Sequence, residues 1–346
     1  MGQSLTDKLM NKISDSWKIR ELFSNLLYTE KASHSVNGHG LEFKPSPYGQ
    51  NEVSRNTDRP ALFLTSQFRT GSTFLWQLMN AIDQATCYYE PLNARVWVEE
   101  AGERNRVDPT HKGVKDYAEH YLGLTHLASY HSRDWSYKNL WMDEFSADWG
   151  MKNYIDGLIE ATDGFPVLQF NRVDFRLKWL RQQFPKAKIV HLIRSPRDQW
   201  ISSLYGQDID HETTIGEFAP FDKFYLLPQV KDLREVFPVL NISESEPAYC
   251  LFYLLWRLSC LHGTQHADLT IQYENLIEDV GPSIETIMSL IDRDDLRYDK
   301  KMAESLIAKP STEKWKKFAS PQWFDQKESA IEKILSSYLG SEIKDF

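Results

Sequence analysis

The sequence is poor in cysteine, in positive charge and in long apolar runs, and each shortage excludes something. Its 3 cysteines, Cys87, Cys250 and Cys260, show no C-x-x-C spacing in a chain of 346 residues. Neither a disulfide framework nor a zinc site fits that pattern, and a reducing, cytoplasmic location is expected. Lys and Arg number 40 against 49 Asp and Glu, a net charge of −9. A nucleic acid partner would need a basic face, so none is expected. An anionic ligand must be held by local cations against an unfavourable overall field. The longest apolar stretch, Leu251–Leu261, contains Arg257 and is too short to span a bilayer, and no secretory signal begins the chain.

What is present suffices for one large domain: 41% of residues are hydrophobic and 26% charged. No low-complexity linker divides the chain. The expected organisation is an N-terminal arm over 1–59, a domain over 60–320 and a C-terminal helix over 321–346. Leu5, Leu9, Ile13, Trp17, Leu22, Phe23 and Leu26 recur at helical spacing, with Ser4 and Asp7 as a start signal. This amphipathic helix packs on the domain, or it offers a membrane-surface or homodimer contact. Met1-Gly2 with Thr6 also fits an N-myristoylation pattern. Residues 31–59 read as a polar connecting arm.

Strands are expected near 61–65, 86–89, 167–170, 188–193 and 269–273. Helical patterns fall at 73–82, 174–183, 196–205, 248–266 and 281–292. Alternation of this kind calls for an α/β fold, a mainly parallel sheet with helices on both faces. Ligands of such sheets bind beyond the carboxyl ends of the strands. Arg69, Glu90, Arg172 and Arg194 all lie just past strand ends, where one sheet edge can gather them.

The segment Leu62 to Trp76 reads as strand, tight turn and helix. Such a turn aims backbone N–H groups and the positive end of the helix dipole at one point, where a tetrahedral anion sits. Arg69 adds a permanent cation, and Thr70, Ser72 and Thr73 add hydroxyl donors around Gly71. A P-loop spells G-x-x-x-x-G-K-[ST] and places its Ser or Thr on Mg²⁺. Here the first Gly and the Lys are missing, so the anion is expected to be neutralised by Arg rather than by a metal.

Three motifs in order resemble the sulfotransferases that use 3′-phosphoadenosine-5′-phosphosulfate. Phe68 to Thr73 matches their P-[KR]-[ST]-G-[ST]-T loop except for Phe in place of Pro. Arg194 at a strand end and Ser202 eight residues on match the pair that binds the donor's 3′-phosphate; otherwise Ser202 is merely helical. Tyr273-Glu274-Asn275-Leu276 resembles the family's late strand ending in Tyr-Glu-x-Leu, whose Tyr lies near the adenine, although a strand-end Tyr packed on the core explains it equally. The resemblance spans roughly 60–320. It implies a three-layer α/β/α, P-loop NTPase-like sulfotransferase fold and a metal-independent transferase with that nucleotide as co-substrate.

The resemblance also assigns catalytic roles. Glu90, in Tyr89-Glu90-Pro91-Leu92, sits where tyrosylprotein sulfotransferases carry their base, and Golgi carbohydrate sulfotransferases have a similar Glu-Pro-Leu. The alternative is a loop carboxylate held by Arg69 or a helix terminus. Asn171-Arg172-Val173-Asp174-Phe175 resembles an Asn-Lys-Asp-Pro-Phe stretch whose Lys touches the transferring group. Arg172 would keep that charge, or else it is a helix N-terminal Arg paired with Asp174. His191, mid-strand, reads as a core histidine. Lys314-Trp315-Lys316-Lys317-Phe318 lacks the glycines of the family's donor-closing segment and reads as a solvated basic turn.

The acceptor is left open among small molecules, carbohydrates, lipids and peptides. Residues 93–165, with Trp97, Trp135, Trp141 and Trp149, and residues 206–247 form two acceptor-side insertions. Their aromatics either stack on the acceptor or pack the insertions' own core. Two other classes remain, a P-loop nucleotide-dependent kinase and a non-catalytic nucleotide-binding protein of the same fold.

Overall fold

A computed structural model describes residues 58–97, 114, 119–293, 295–306 and 313–340. The expected N-terminal helix, the 31–57 part of the arm, His111 and Lys309–Thr312 lie outside the described residues.

Five strands form a single sheet: β1 (Ala61–Ser66), β2 (Ala85–Tyr89), β3 (Phe165–Asn171), β4 (Ala187–Ile193) and β5 (Leu269–Gln272). Their order is β2-β3-β1-β4-β5 and every pairing is parallel. All five carboxyl ends therefore meet at one edge. β1 is buried along its whole length, because helices cover both faces and no side of the pleat is left for water. Ala61 and Phe63 join one core cluster with Tyr88, Leu168 and Ile189. Leu62 and Leu64 join the opposite one with Cys87, Val167 and Val190.

The helices are α1 (Ser72–Asn80), α2 (Trp149–Glu160), α3 (Leu177–Gln183), α4 (Pro196–Ser203), α5 (Leu226–Leu233), α6 (Ala248–His266), α7 (Tyr273–Glu278), α8 (Val280–Ile291), α9 (Lys300–Ser305) and α10 (Pro321–Leu339). Leu75 and Trp76 of α1 and Ile284 and Ile287 of α8 cover one face. Tyr154 and Leu158 of α2 and Leu177 and Trp179 of α3 cover the other. The result is the three-layer α/β/α arrangement expected. A third cluster unites α4, α5, α6 and α10.

Two expectations need adjustment. Tyr273 does not end a strand but opens helix α7, one residue after β5 stops at Gln272. Within the 206–247 insertion, where no helix was expected, the chain folds α5 and three 3-10 turns. His191 is buried in the core, pressed against α6 at Gly263, where a Cβ would approach the ring to 2.1 Å. No described helix is long and apolar enough to cross a membrane.

Candidate active site

The sheet's carboxyl edge presents Arg69 three residues beyond β1, and Glu90, Arg172, Arg194 and Tyr273 immediately after β2, β3, β4 and β5. Arg69, Glu90 and Arg172 all have left-handed backbones, at φ 64, 46 and 61. A non-glycine residue in that region is strained by roughly 1 kcal/mol or more, and such strain concentrates at functional turns. Each of the three strands thus ends in a sharp reversal that throws the next side chain over the edge.

The loop after β1 is built as an anion site. Gly71 caps α1 at φ 96 and accepts at its carbonyl from the N–H groups of Phe74 and Leu75. Among the described residues, the N–H groups of Gly71, Ser72 and Thr73 donate to no protein acceptor, so three donors at a helix N-terminus are left for a ligand or solvent. Glycine is required at 71 twice over. Its φ is positive, and an added Cβ would lie 2.2 Å from the Tyr273 ring. The hydroxyls are less free than the sequence suggests. Thr70 Oγ1 donates to the Gln67 carbonyl at 2.9 Å, Thr73 Oγ1 shares a hydrogen bond with Tyr89 at 2.8 Å, and Ser72 Oγ donates to Asn171 Oδ1 at 3.4 Å.

Arg194 and Ser202 both bond to Arg69 of this loop, Arg194 at its carbonyl and Ser202 at its side chain. Arg194 Nη1 donates to the Arg69 carbonyl at 3.1 Å, and its guanidinium lies 4.8 Å over the Tyr273 ring. Its Nε is buried with no hydrogen-bond partner among the described residues. Ser202 instead accepts from Arg69 Nε at 3.1 Å through its hydroxyl, which keeps its own O–H for another acceptor. Burial raises the Tyr273 phenol's pKa, and the Arg194 charge acts in the opposite sense. Trp256 Nε1 fixes the strand end by donating to the Arg194 carbonyl at 3.1 Å.

Glu90 is 5% exposed and is not held by Arg69. Its carboxylate accepts from the side-chain amides of Asn93, at 2.6 Å, and Asn171. Asn171 in turn accepts at Oδ1 from Ser72 and from Gln169 Nε2. The orientation of the Asn171 amide is therefore fixed by both neighbours, and one amide links the anion loop to Glu90. Asn93 and Gln169 were not legible as site residues; the one available signal was the turn position of Asn93, three residues after Glu90.

Arg172 does not pair with Asp174. That carboxylate is fully buried and accepts from Thr65 Oγ1 and Ser259 Oγ, both at 2.6 Å. Arg172 Nη2 donates to the Phe224 carbonyl at 3.2 Å, so the guanidinium reaches across the mouth of the site to the 206–247 insertion. The insertion tryptophans divide. Trp135 is buried and Trp97 and Trp141 pack against core, while Trp149 is 60% exposed. In the basic turn after Glu313, the lysines are exposed and Trp315 packs on Arg197 and Phe324.

A parallel sheet whose edge joins a strand–turn–helix anion loop to two further arginines and a buried carboxylate defines a P-loop-like α/β fold. Residues 60–215 match the model described as Sulfotransferase family, and the resemblance read from the motifs holds over that segment. It includes every candidate residue except Tyr273. No curated protein matches the sequence. Solved structures similar to the chain include a sulfotransferase from Alicyclobacillus acidocaldarius, at 11% identity and TM-score 0.39, covering 83% of this chain and 98% of that one. Mouse sulfotransferase SULT7A1 complexed with PAP is similar at 10% identity and TM-score 0.40, covering 83% and 86%. Sulfotransferase STF9 from Mycobacterium avium gives 15% identity and TM-score 0.41, covering 83% and 78%.

Proposed function

We propose that the chain moves a sulfuryl group from 3′-phosphoadenosine-5′-phosphosulfate to a hydroxyl or amine acceptor by in-line displacement. The observation that carries this reading is the loop itself, in which the N–H groups of Gly71, Ser72 and Thr73 at the start of α1 have no protein acceptor among the described residues and Arg69 stands beside them in sequence. The residues fit the nucleotide at its other end as well, since Arg194 holds an unpartnered buried Nε against the ring of Tyr273.

In this reading the S–O bond to the leaving phosphate breaks as the acceptor's oxygen or nitrogen bonds to sulfur. Arg69 and the N–H groups of Gly71, Ser72 and Thr73 stabilise charge on the leaving oxygen; fixed donors of this kind are worth ~3–4 kcal/mol each. Arg172 addresses the equatorial sulfuryl oxygens. Glu90 takes the acceptor's proton, held in place by Asn93 and Asn171. Arg194, Ser202 and Tyr273 bind the 3′-phosphate and adenine. The 3 cysteines are buried and free, which supports a reducing, cytoplasmic setting. The acceptor is a small molecule, carbohydrate or peptide reached through the two insertions.

Isothermal titration with 3′-phosphoadenosine-5′-phosphate and adenosine-5′-phosphate tests the reading. The first binds about 10- to 100-fold more tightly, the worth of a charge-assisted pair on the extra phosphate. Arg194→Ala removes that preference, and EDTA leaves it unchanged. Equal affinity for the two nucleotides, or binding that requires Mg²⁺, would replace the sulfotransferase reading with a kinase-like one.

A further inference from the structure

Phe68 stands where the sulfotransferase loop carries Pro, and the structure gives that ring a task. It stacks on Phe224 with centroids 5.4 Å apart and planes 8° from parallel. The Arg69 guanidinium lies over Phe224 at 5.5 Å. The Arg172 guanidinium lies over Phe68 at 5.8 Å and over Tyr225 at 5.6 Å. Tyr225 stacks in turn on Tyr137, 5.7 Å away at 26°. Arg69, Phe224, Phe68, Arg172, Tyr225 and Tyr137 form one column in which rings separate the two cations.

Phe224 and Tyr225 belong to a turn that is itself fixed. Tyr225 is left-handed at φ 61. Asp222 accepts from the N–H groups of Leu226 and Leu227, both at 2.8 Å, and Gln229 Nε2 donates to the Phe224 carbonyl at 3.0 Å. A ring covers the flat face of a guanidinium and leaves its N–H edge to donate. Separation by rings also lets two like charges share a site without touching.

We propose that Phe224 and Tyr225 are positioning residues for group transfer: with Phe68 they hold Arg69 and Arg172 in one rigid column, edges set toward the transferring group before the donor arrives. This rests on the sulfuryl-transfer reading above. A proline at 68 has no aromatic ring to bridge Phe224 and Arg172, so the departure from the family motif and the aromatic turn belong together. Part of the 206–247 insertion thereby serves the chemistry rather than the acceptor.

The test measures affinities of the full-length protein for 3′-phosphoadenosine-5′-phosphate and for 3′-phosphoadenosine-5′-phosphosulfate, two probes that differ by the sulfuryl group. Tyr225→Ala weakens the second about 5- to 30-fold, the worth of a partly desolvated cation–ring contact, and changes the first little. Tyr225→Phe keeps the ring and restores the ratio. In an Arg172→Ala background, Tyr225→Ala has no further effect on the ratio, because the two act as one unit. Phe224→Ala, which removes the ring beneath the Arg69 guanidinium, weakens both probes. If Tyr225→Ala melts the protein, Tyr225→Leu fills the space without a ring and is measured in its place. Equal losses for both probes, additive effects of Arg172 and Tyr225, or a Tyr225→Phe as weak as the alanine variant would overturn the proposal alone. A wild-type protein that binds neither nucleotide would overturn the sulfuryl-transfer reading, and this with it.

Discussion

At the scale of single residues, Glu90 is where geometry constrains chemistry most tightly. Both of its oxygens accept from amide nitrogens, those of Asn171 and Asn93. Neither amide can turn over cheaply. Asn171 Oδ1 already accepts from Ser72 and Gln169, and Asn93 Oδ1 accepts from the Arg95 N–H at 3.0 Å. Glu90→Gln therefore sets an NH2 group against a donor at one of the two contacts. The lost hydrogen bond should cost about 1–2 kcal/mol of stability. If Glu90 is the base, turnover should fall ~10²–10⁴-fold, and the decline in rate at low pH should disappear. Affinity for 3′-phosphoadenosine-5′-phosphate should hold, because the loop donors and Arg194 are untouched. Steady-state rates across pH, with a melting curve and a nucleotide titration on the same variant, check all three. Near-wild-type turnover would remove Glu90 from the mechanism. Of the histidines that could then replace it, His126 is exposed, whereas His131 is packed between Trp135 and Tyr154.

At the scale of elements, the strands were legible because each is a short β-rich run with a turn signal after it. All five lie within two residues of their expected bounds. Helix α2 was not legible because Lys152 and Asp156, a buried ion pair on its inner face, interrupt the apolar period that marks a core-facing helix. Helix α5 was hidden by Pro228 in its first turn, a position that tolerates proline although the sequence there reads as a break. Glu90, Arg172, Arg194 and Tyr273 could be found because each directly follows a strand, and the Arg69–Thr73 loop because it joins a strand to a helix. The bracket on Glu90, the pairing of Ser202 with Arg69 and the aromatic column could not, since they join residues far apart in sequence. The same holds for α10. Its Glu328 accepts from Arg197 Nε at 2.8 Å and Nη2 at 2.7 Å and from the Tyr249 hydroxyl at 2.6 Å, while Glu332 accepts from Tyr253 at 2.7 Å. Arg197 is on α4, three residues after Arg194, so α10 steadies the helix that follows the site. Arg197 is half-buried, and Glu328 is the main cause of its raised pKa. Glu328→Ala leaves that charge with only the exposed Asp325, at an expected cost of about 2–4 kcal/mol. Thermal unfolding should then occur roughly 5–10 °C lower. An unchanged melting temperature would mean that α10 is held by its apolar face alone.

At the scale of the whole molecule, the balance of buried ionisable groups sets the pH range in which the fold persists. His131 and His262 are both kept neutral by burial, which lowers each to about 4; Arg133 adds to the effect at His131, and His266 and Lys178 add to it at His262. His191 shifts the same way, chiefly by burial and against the Asp174 charge. An unfolded histidine titrates near 6.5, so between about 6.5 and 4 the unfolded chain binds protons that the native one refuses. Stability from these groups is fully present above about 6.5 and is lost as pH falls toward 4. For His131 and His262 the full effect is on the order of 3 kcal/mol each. Asp222 and Asp232 oppose it: burial raises both, so the native state takes up their protons first and gains stability as pH falls through their range. The two histidines sit where segments outside the sheet join it. His131 packs on Trp135 and Tyr154, and His262 on Trp141, Phe175 and Phe237. Protonation should therefore loosen the insertions against the core. Melting temperature followed from pH 7.5 to 4.5 should drop steadily below about 6.5. A variant carrying His131→Phe and His262→Phe should show a shallower drop, since an aromatic ring of similar size fills each site without a proton to gain. An identical slope in that variant would shift the cause of acid unfolding away from these two histidines.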